Sequence, residues 1–223
     1  MRKKTLYAGA ILLALSLSAC GQKAEASGEN GAGVEAEAPA DAEADEAEDL
    51  SLEEIKAAGS WDGNVYTNEA ASMVLSLPDT WMASSEEDIA AFVESLGGEG
   101  TDYLAMAQDF DTGSVLQIAI EDLSVTSPIF TSSMDEDSYL EALRQQLDLQ
   151  MEEGMEMTSV DEENGDLMLG SENYRYFNAV ATASGVDVNQ IYAVKKVGDK
   201  NMIAIIYITA DDASADELSA LFS

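Results

Sequence analysis

The chain reads as an α+β fold, an antiparallel β-sheet covered by helices, on the strength of two patterns. Short segments alternate apolar and polar residues with period two, as half-buried strands do. Between them lie Ser-x-x-Glu spacings, in which a serine oxygen takes an early helix amide and the glutamate reaches back to cap the start. A leader and an acidic tether precede this part, so we divide the chain into residues 1–19, 20–49 and 50–223.

Met1 to Lys4 is a short basic stretch, and Leu6 to Leu17 is apolar but, at about a dozen residues, short for a bilayer span. That is the pattern of a secretory signal peptide. The run Leu17-Ser18-Ala19-Cys20 then resembles the lipobox of bacterial lipoproteins. The resemblance implies lipid attachment at Cys20, cleavage before it, and a protein held on the outer side of the cytoplasmic membrane. From Gly21 to Asp49 the chain is mostly Ala, Glu, Asp and Gly with no aromatic residue. Such a segment cannot bury enough surface to offset ordering, so it is expected to act as a disordered tether of at most roughly 100 Å.

Within residues 50–223, Ser51-x-x-Glu54, Ser84-x-x-Glu87 and Ser214-x-x-Glu217 mark three helix starts. After the second, Ile89, Phe92, Val93 and Leu96 form one apolar stripe, stopped by Gly97-Gly98. Tyr139, Leu140, Leu143 and Leu147 mark a further helix from about Asp137 to Glu152. Strands are expected at Asn64–Asn68, Ser72–Leu77, Tyr103–Phe110 and Val115–Leu123, with a tight turn at Asp111-Thr112-Gly113. Asn164-Gly165 has the composition of a type I′ hairpin turn. Asn173–Thr182, Val186–Val197 and Met202–Thr209 then make a meander, broken at Ser184-Gly185 and Gly198-Asp199. Connections this short favour antiparallel pairing.

Composition excludes several function classes. The 223 residues hold 10 basic and 44 acidic side chains, and the three basic residues of the leader leave 7 against 44 in a cleaved chain, a net charge of −37. A polyanion without a basic stripe gains nothing from phosphate contacts, so nucleic acid is not an expected ligand. With no histidine and Cys20 as the sole cysteine, histidine-based triads, the HExxH zinc helix and Cys/His zinc sites are absent. No cofactor is expected, and the 46% hydrophobic content supports an ordinary core.

The pieces Trp61-Asp62-Gly63-Asn64-Val65-Tyr66-Thr67-Asn68 and Leu77-Pro78-Asp79-Thr80-Trp81, followed by Ser-Ser-Glu-Glu, resemble uncharacterised Gram-positive lipoproteins that look PsbP-like in fold. The resemblance runs from about Gly59 to the C-terminus and implies a sandwich of helices on an antiparallel sheet. Relatives by fold include a photosystem II extrinsic subunit and a Ran-binding import protein, which act by docking on other proteins. Protein docking is therefore the expectation that the resemblance brings.

Several residues suit either a binding site or a structural role. Trp61, Tyr66 and Trp81 offer a possible aromatic binding surface, or else lock hairpin ends into the core. Asp161, Glu163 and Asp166 concentrate carboxylates near a turn as a calcium loop would, but their glycine is one place early for an EF-hand. Asp109 and Asp111 make a similar, poorer set, because Ile120 stands where a bidentate glutamate is required. Lys195-Lys196 is the only basic pair after the leader, suited to an acidic partner or to the protein's own surface. Met151, Met155 and Met157 suggest adaptable packing near a helix end.

The sequence thus points to a non-enzymatic module, tethered to the membrane through Cys20 and binding an envelope or secreted protein. A carboxylate-based hydrolase of envelope polymer is the rival, since 44 acids supply many possible pairs. Weak divalent-cation binding at residues 161–166 is the third expectation.

Overall fold

The computed structural model describes residues 50–95, 102–124, 131–147, 155–183, 186–210 and 215–223. The leader, Cys20, the tether, Leu96 to Gly98, Met151, Ser184-Gly185 and Ser214 lie outside the described residues.

Helix α1 (Leu52–Ala57) starts at the expected capping box: the Glu54 amide donates to the Ser51 hydroxyl and the Ser51 amide to the Glu54 carboxylate. Its Ile55 is fully buried. Strands β1 (Gly59–Asp62), β2 (Val65–Asn68) and β3 (Met73–Ser76) follow as an antiparallel sheet in that order. The β1–β2 turn is Gly63-Asn64, with Gly63 at φ 59° and Asn64 not in the left-handed region. That is the type II′ pattern, with glycine at the first central position.

A second, eight-stranded antiparallel sheet is built from β4 (Trp81–Ala83), β5 (Asp102–Asp109), β6 (Val115–Asp122), β7 (Met155–Val160), β8 (Gly165–Leu169), β9 (Glu172–Ala183), β10 (Val186–Val197) and β11 (Asn201–Thr209). Its order is β4-β5-β6-β11-β10-β9-β7, with β8 also on β9. Strand β11 is buried at every residue because both faces of the sheet are covered. Ile203, Ile205 and Tyr207 enter one core with Ile55, Leu75, Leu218 and Phe222, so this face carries the small sheet, α1 and helix α4 (Ala215–Ala220). Met202, Ala204, Ile206 and Ile208 enter the other core with Tyr139, Leu140 and Leu143 of helix α3 (Glu136–Leu147).

The α+β class and the antiparallel pairing stand, and the C-terminal meander runs as β9, β10 and β11. Three expectations need correction. A single sheet covered by helices is instead two sheets, since β1 to β3 leave the main ladder and pack on it. The middle helix, α2 (Glu86–Ser95), starts one residue later than Ser84: the Asp88 amide donates to the Ser85 hydroxyl, and the Ser85 amide to the Asp88 carboxylate.

Asn164-Gly165 is not a hairpin turn, because β7 and β8 lie end to end along the same edge of β9. Neither residue has a positive φ. Gly165 serves close approach instead, since a Cβ there would stand 2.5 Å from a Tyr176 ring carbon. The hairpin falls at Gly170, at φ 62°, between β8 and β9.

Candidate functional site

A cleft of about 890 Å³ opens between α2 and the β1–β2 hairpin. Ile89, Ala90 and Val93 of α2 form one wall and Gly59, Ser60 and Trp61 of edge strand β1 the other, with Tyr103 and Leu104 of β5 between them. Tyr103 and Leu104 both border the cleft, next to a bulge in β5 between Tyr103 and Ala105, while Leu104 packs toward the core of the small sheet and Tyr103 toward the α3 core.

The aromatic side is held from behind. Asn68, fully buried, donates its side-chain amide to the Ile55 carbonyl at 2.8 Å and the Tyr66 hydroxyl at 3.3 Å, and accepts from the Ala71 amide. This ties α1, β2 and the β2–β3 turn together and fixes Tyr66, whose ring centroid lies 5.2 Å from that of Trp61. Glycine at 59 is required for this arrangement: a Cβ there would overlap the Tyr66 hydroxyl at 2.2 Å. Burial raises the pKa of the Tyr66 phenol, so it remains neutral across the physiological range.

Charge on the cleft is mostly negative. Glu86, Glu94 and Asp102 line it, and among the described residues its one cation is Lys56 at the end of α1. Lys56 donates to Asp102 at 2.7 Å and to Glu53 at 3.3 Å. The Asp102 hydrogen bond raises the ammonium pKa against the opposing effect of desolvation. Tyr103 meets Phe92 of α2 edge to face at 5.5 Å, and burial, with the Glu121 charge beyond it, pushes its phenol up to about 12. The chemistry such a surface offers is apolar and aromatic contact, exposed hydroxyls, and carboxylates ready to accept from a cation.

Helix α2 carries the apolar stripe expected of it, yet none of its described residues is buried. Ile89, Phe92 and Val93 are half-buried; Ile89 and Val93 line the cleft, while Phe92 packs on Tyr103. The sequence identifies the stripe but not that it stays open; Lys56, Asp102 and Leu104 carry no local signal and meet the cleft only through the fold.

Of the three aromatic candidates, Trp61 is half-buried and Tyr66 is 2% exposed, and both line the cleft. Trp81 does not: it is buried and stacks on Tyr207, with ring centroids 6.3 Å apart. The acidic candidates are engaged elsewhere. Asp161 accepts from the Asn178 backbone and side-chain amides, Asp166 accepts from Arg175 at 2.8 Å and from Asn173, and Glu163 is exposed. Asp109 accepts from the Asp111 amide and the Thr112 hydroxyl, holding the β5–β6 turn at Gly113. Lys195 pairs with Glu172, and Lys196 donates to the Ser132 and Met134 carbonyls at 2.9 Å, so both act within the fold. Met157 packs partly buried against the α3 core.

No family model and no curated protein matches the chain. Among solved structures it is similar to a protein of Bacteroides thetaiotaomicron at 13% identity and TM-score 0.40, over 72% of this chain and 47% of that one. The chain thus spans about half the length of that neighbour. It is also similar to LpqN of Mycobacterium tuberculosis, described as involved in cell envelope biogenesis, at 14% identity and TM-score 0.36, over 67% of this chain and 75% of that one. Likenesses this distant carry no argument about function. Among the described residues, no helix is long and apolar enough to cross a membrane.

Proposed function

We propose that this protein is an exported, lipid-anchored accessory module of the cell envelope that docks another envelope or secreted protein in the cleft between α2 and the β1–β2 hairpin. The observation that carries the reading is the open apolar stripe of α2 above the cleft, beside half-buried Trp61. An amphipathic helix normally seats its stripe in the core, so apolar surface left over a cavity of this size is suited to a partner. The finer parts of the reading rest on the sequence. The Leu17 to Cys20 run supports the signal peptide and anchor, and the Trp61 to Trp81 pieces support a PsbP-like relationship, whose known members dock on proteins. A docking module is non-enzymatic, which fits a chain without histidine.

The test is site-specific photo-cross-linking in intact cells. A photoreactive residue at exposed Ser60, on the cleft, is expected to give a discrete protein adduct, while one at exposed Asp187, on β10, is not. Equal labelling from both positions, or none from Ser60, refutes the docking reading. A fatty-acid probe fed to cells is expected to label the native protein and not Cys20→Ser, and absence of label on the native protein would refute the anchor.

A further inference from the structure

We propose that the partner binds as an extended peptide of alternating apolar and basic residues, adding a strand to the free edge of β1 inside the cleft. This inference rests on the docking reading above and specifies its chemistry.

Strand β1 pairs only with β2 among the described residues, so its other edge is free, and its residues Gly59, Ser60 and Trp61 line the cleft. The register shows which backbone groups that edge offers. The two-residue Gly63-Asn64 turn makes Asp62 and Val65 a hydrogen-bonded pair, and alternation makes Trp61–Tyr66 a non-hydrogen-bonded pair, Ser60–Thr67 a bonded one and Gly59–Asn68 a non-bonded one. The N–H and C=O of Trp61 and Gly59 therefore point away from β2, at the spacing an added strand requires. Side chains on β1 alternate as well: Trp61 is half-buried against Tyr66, while Ser60 and Asp62 are exposed. A strand laid alongside would continue that alternation, placing every second side chain among Trp61, Ile89 and Val93 and the others toward solvent and the carboxylates.

Charge selects the outward residues. Asp62 is exposed on β1, and Glu86 and Glu94 line the cleft from α2, whereas Lys56, the cation of its described lining, is already engaged by Asp102 and Glu53. Basic side chains meet this rim favourably and acidic ones do not.

The probe is the peptide Lys-Val-Lys-Val-Lys-Val-Lys, added to the full chain in nanodiscs of zwitterionic lipid. Calorimetry reads affinity and NMR hydrogen exchange reads the Trp61 amide. In an extended peptide the valine amides face one edge and the lysine amides the other, so N-methylation of one set is expected to be tolerated. Methylation of the other set is expected to weaken binding roughly tenfold or more, as backbone bonds to β1 are lost. The Trp61 amide is expected to slow in exchange on binding, the Glu analogue of the peptide to fail to bind, and the Glu86→Gln, Glu94→Gln double variant to bind the basic peptide less tightly. Edge pairing is overturned if both methylated peptides bind like the parent, if the Trp61 amide is unprotected, or if the parent peptide does not bind. A Ser60 adduct in cells together with any of these results removes the strand addition and leaves docking in the cleft standing; loss of the adduct as well removes both.

Discussion

Arg175 joins two separate pieces of chain by charge at once. From β9 it donates to Asp137 at the start of α3 at 2.9 Å and to Asp166 on β8 at 2.8 Å. Asn164 adds its side-chain amide to Asp137, while Arg144 of α3 reaches Asn164 and lies over the Phe177 ring at 4.5 Å. The Asp137 pKa is lowered by Asn164 and then Arg175, and that of Asp166 by Arg175 and then Asn173. A carboxyl held below its unfolded value contributes stability that is present above about pH 4 and is lost as pH falls through the lowered folded value. Arg175→Ala is therefore expected to destabilise the protein more near neutral pH than at about pH 2, with the two urea midpoints converging on acidification. Parallel midpoints for the two proteins across that range would show that these ion pairs contribute nothing measurable. This network occupies Asp166, one of the carboxylates suited to a cation loop, and only the fold reveals it: Arg175 lies nine residues from Asp166 and thirty-eight from Asp137.

Two amphipathic helices of similar pattern have different surroundings. In α3, Tyr139, Leu140 and Leu143 are 0% exposed, sealed between the helix and β9, β10 and β11. In α2 the same kind of stripe has no buried residue. Truncation measures that difference: Leu143→Ala is expected to cost about 2–5 kcal/mol, the range for a leucine removed from a packed core. Val93→Ala is expected to cost under about 1 kcal/mol, since little area is lost from contact. Thermal unfolding of both variants checks this, and a large loss for Val93→Ala would mean that α2 is seated in the core rather than bordering an open cleft. Hydrophobic periodicity reveals that a stripe exists. It does not reveal what covers it, because neither the facing strands nor the bulge in β5 is encoded near the helix.

The whole chain carries 34 more acids than bases, too many to be neutralised by its own cations. The ion pairs at Lys56, Arg144, Arg175 and Lys195 use only a few of those acids. Net self-repulsion then works against the compact state, and salt screens it. Raising salt from about 10 mM to about 1 M shortens the Debye length from about 30 Å to about 3 Å and is expected to raise the melting temperature. A falling melting temperature over that range would mean that local ion pairs dominate over global repulsion. The same excess of acid makes the surface potential negative, and the cleft sets carboxylates beside an apolar wall.

Most local patterns were legible and the assembly was not; the Asn164-Gly165 turn and the Ser84 cap were local readings that the fold overrode. Sequence alone determined the α+β class, the Ser51 capping box, the Asp111 to Gly113 turn and the C-terminal meander, because caps, turns and alternation are set by neighbours within a few residues. Tertiary structure decided that β1 to β3 form a separate sheet, that β7 and β8 share one edge of β9, that Trp81 is core while Trp61 faces a cleft, and that α2 keeps its stripe open. Each of these depends on which distant strand meets which face, a choice made by packing the whole chain rather than by any local segment.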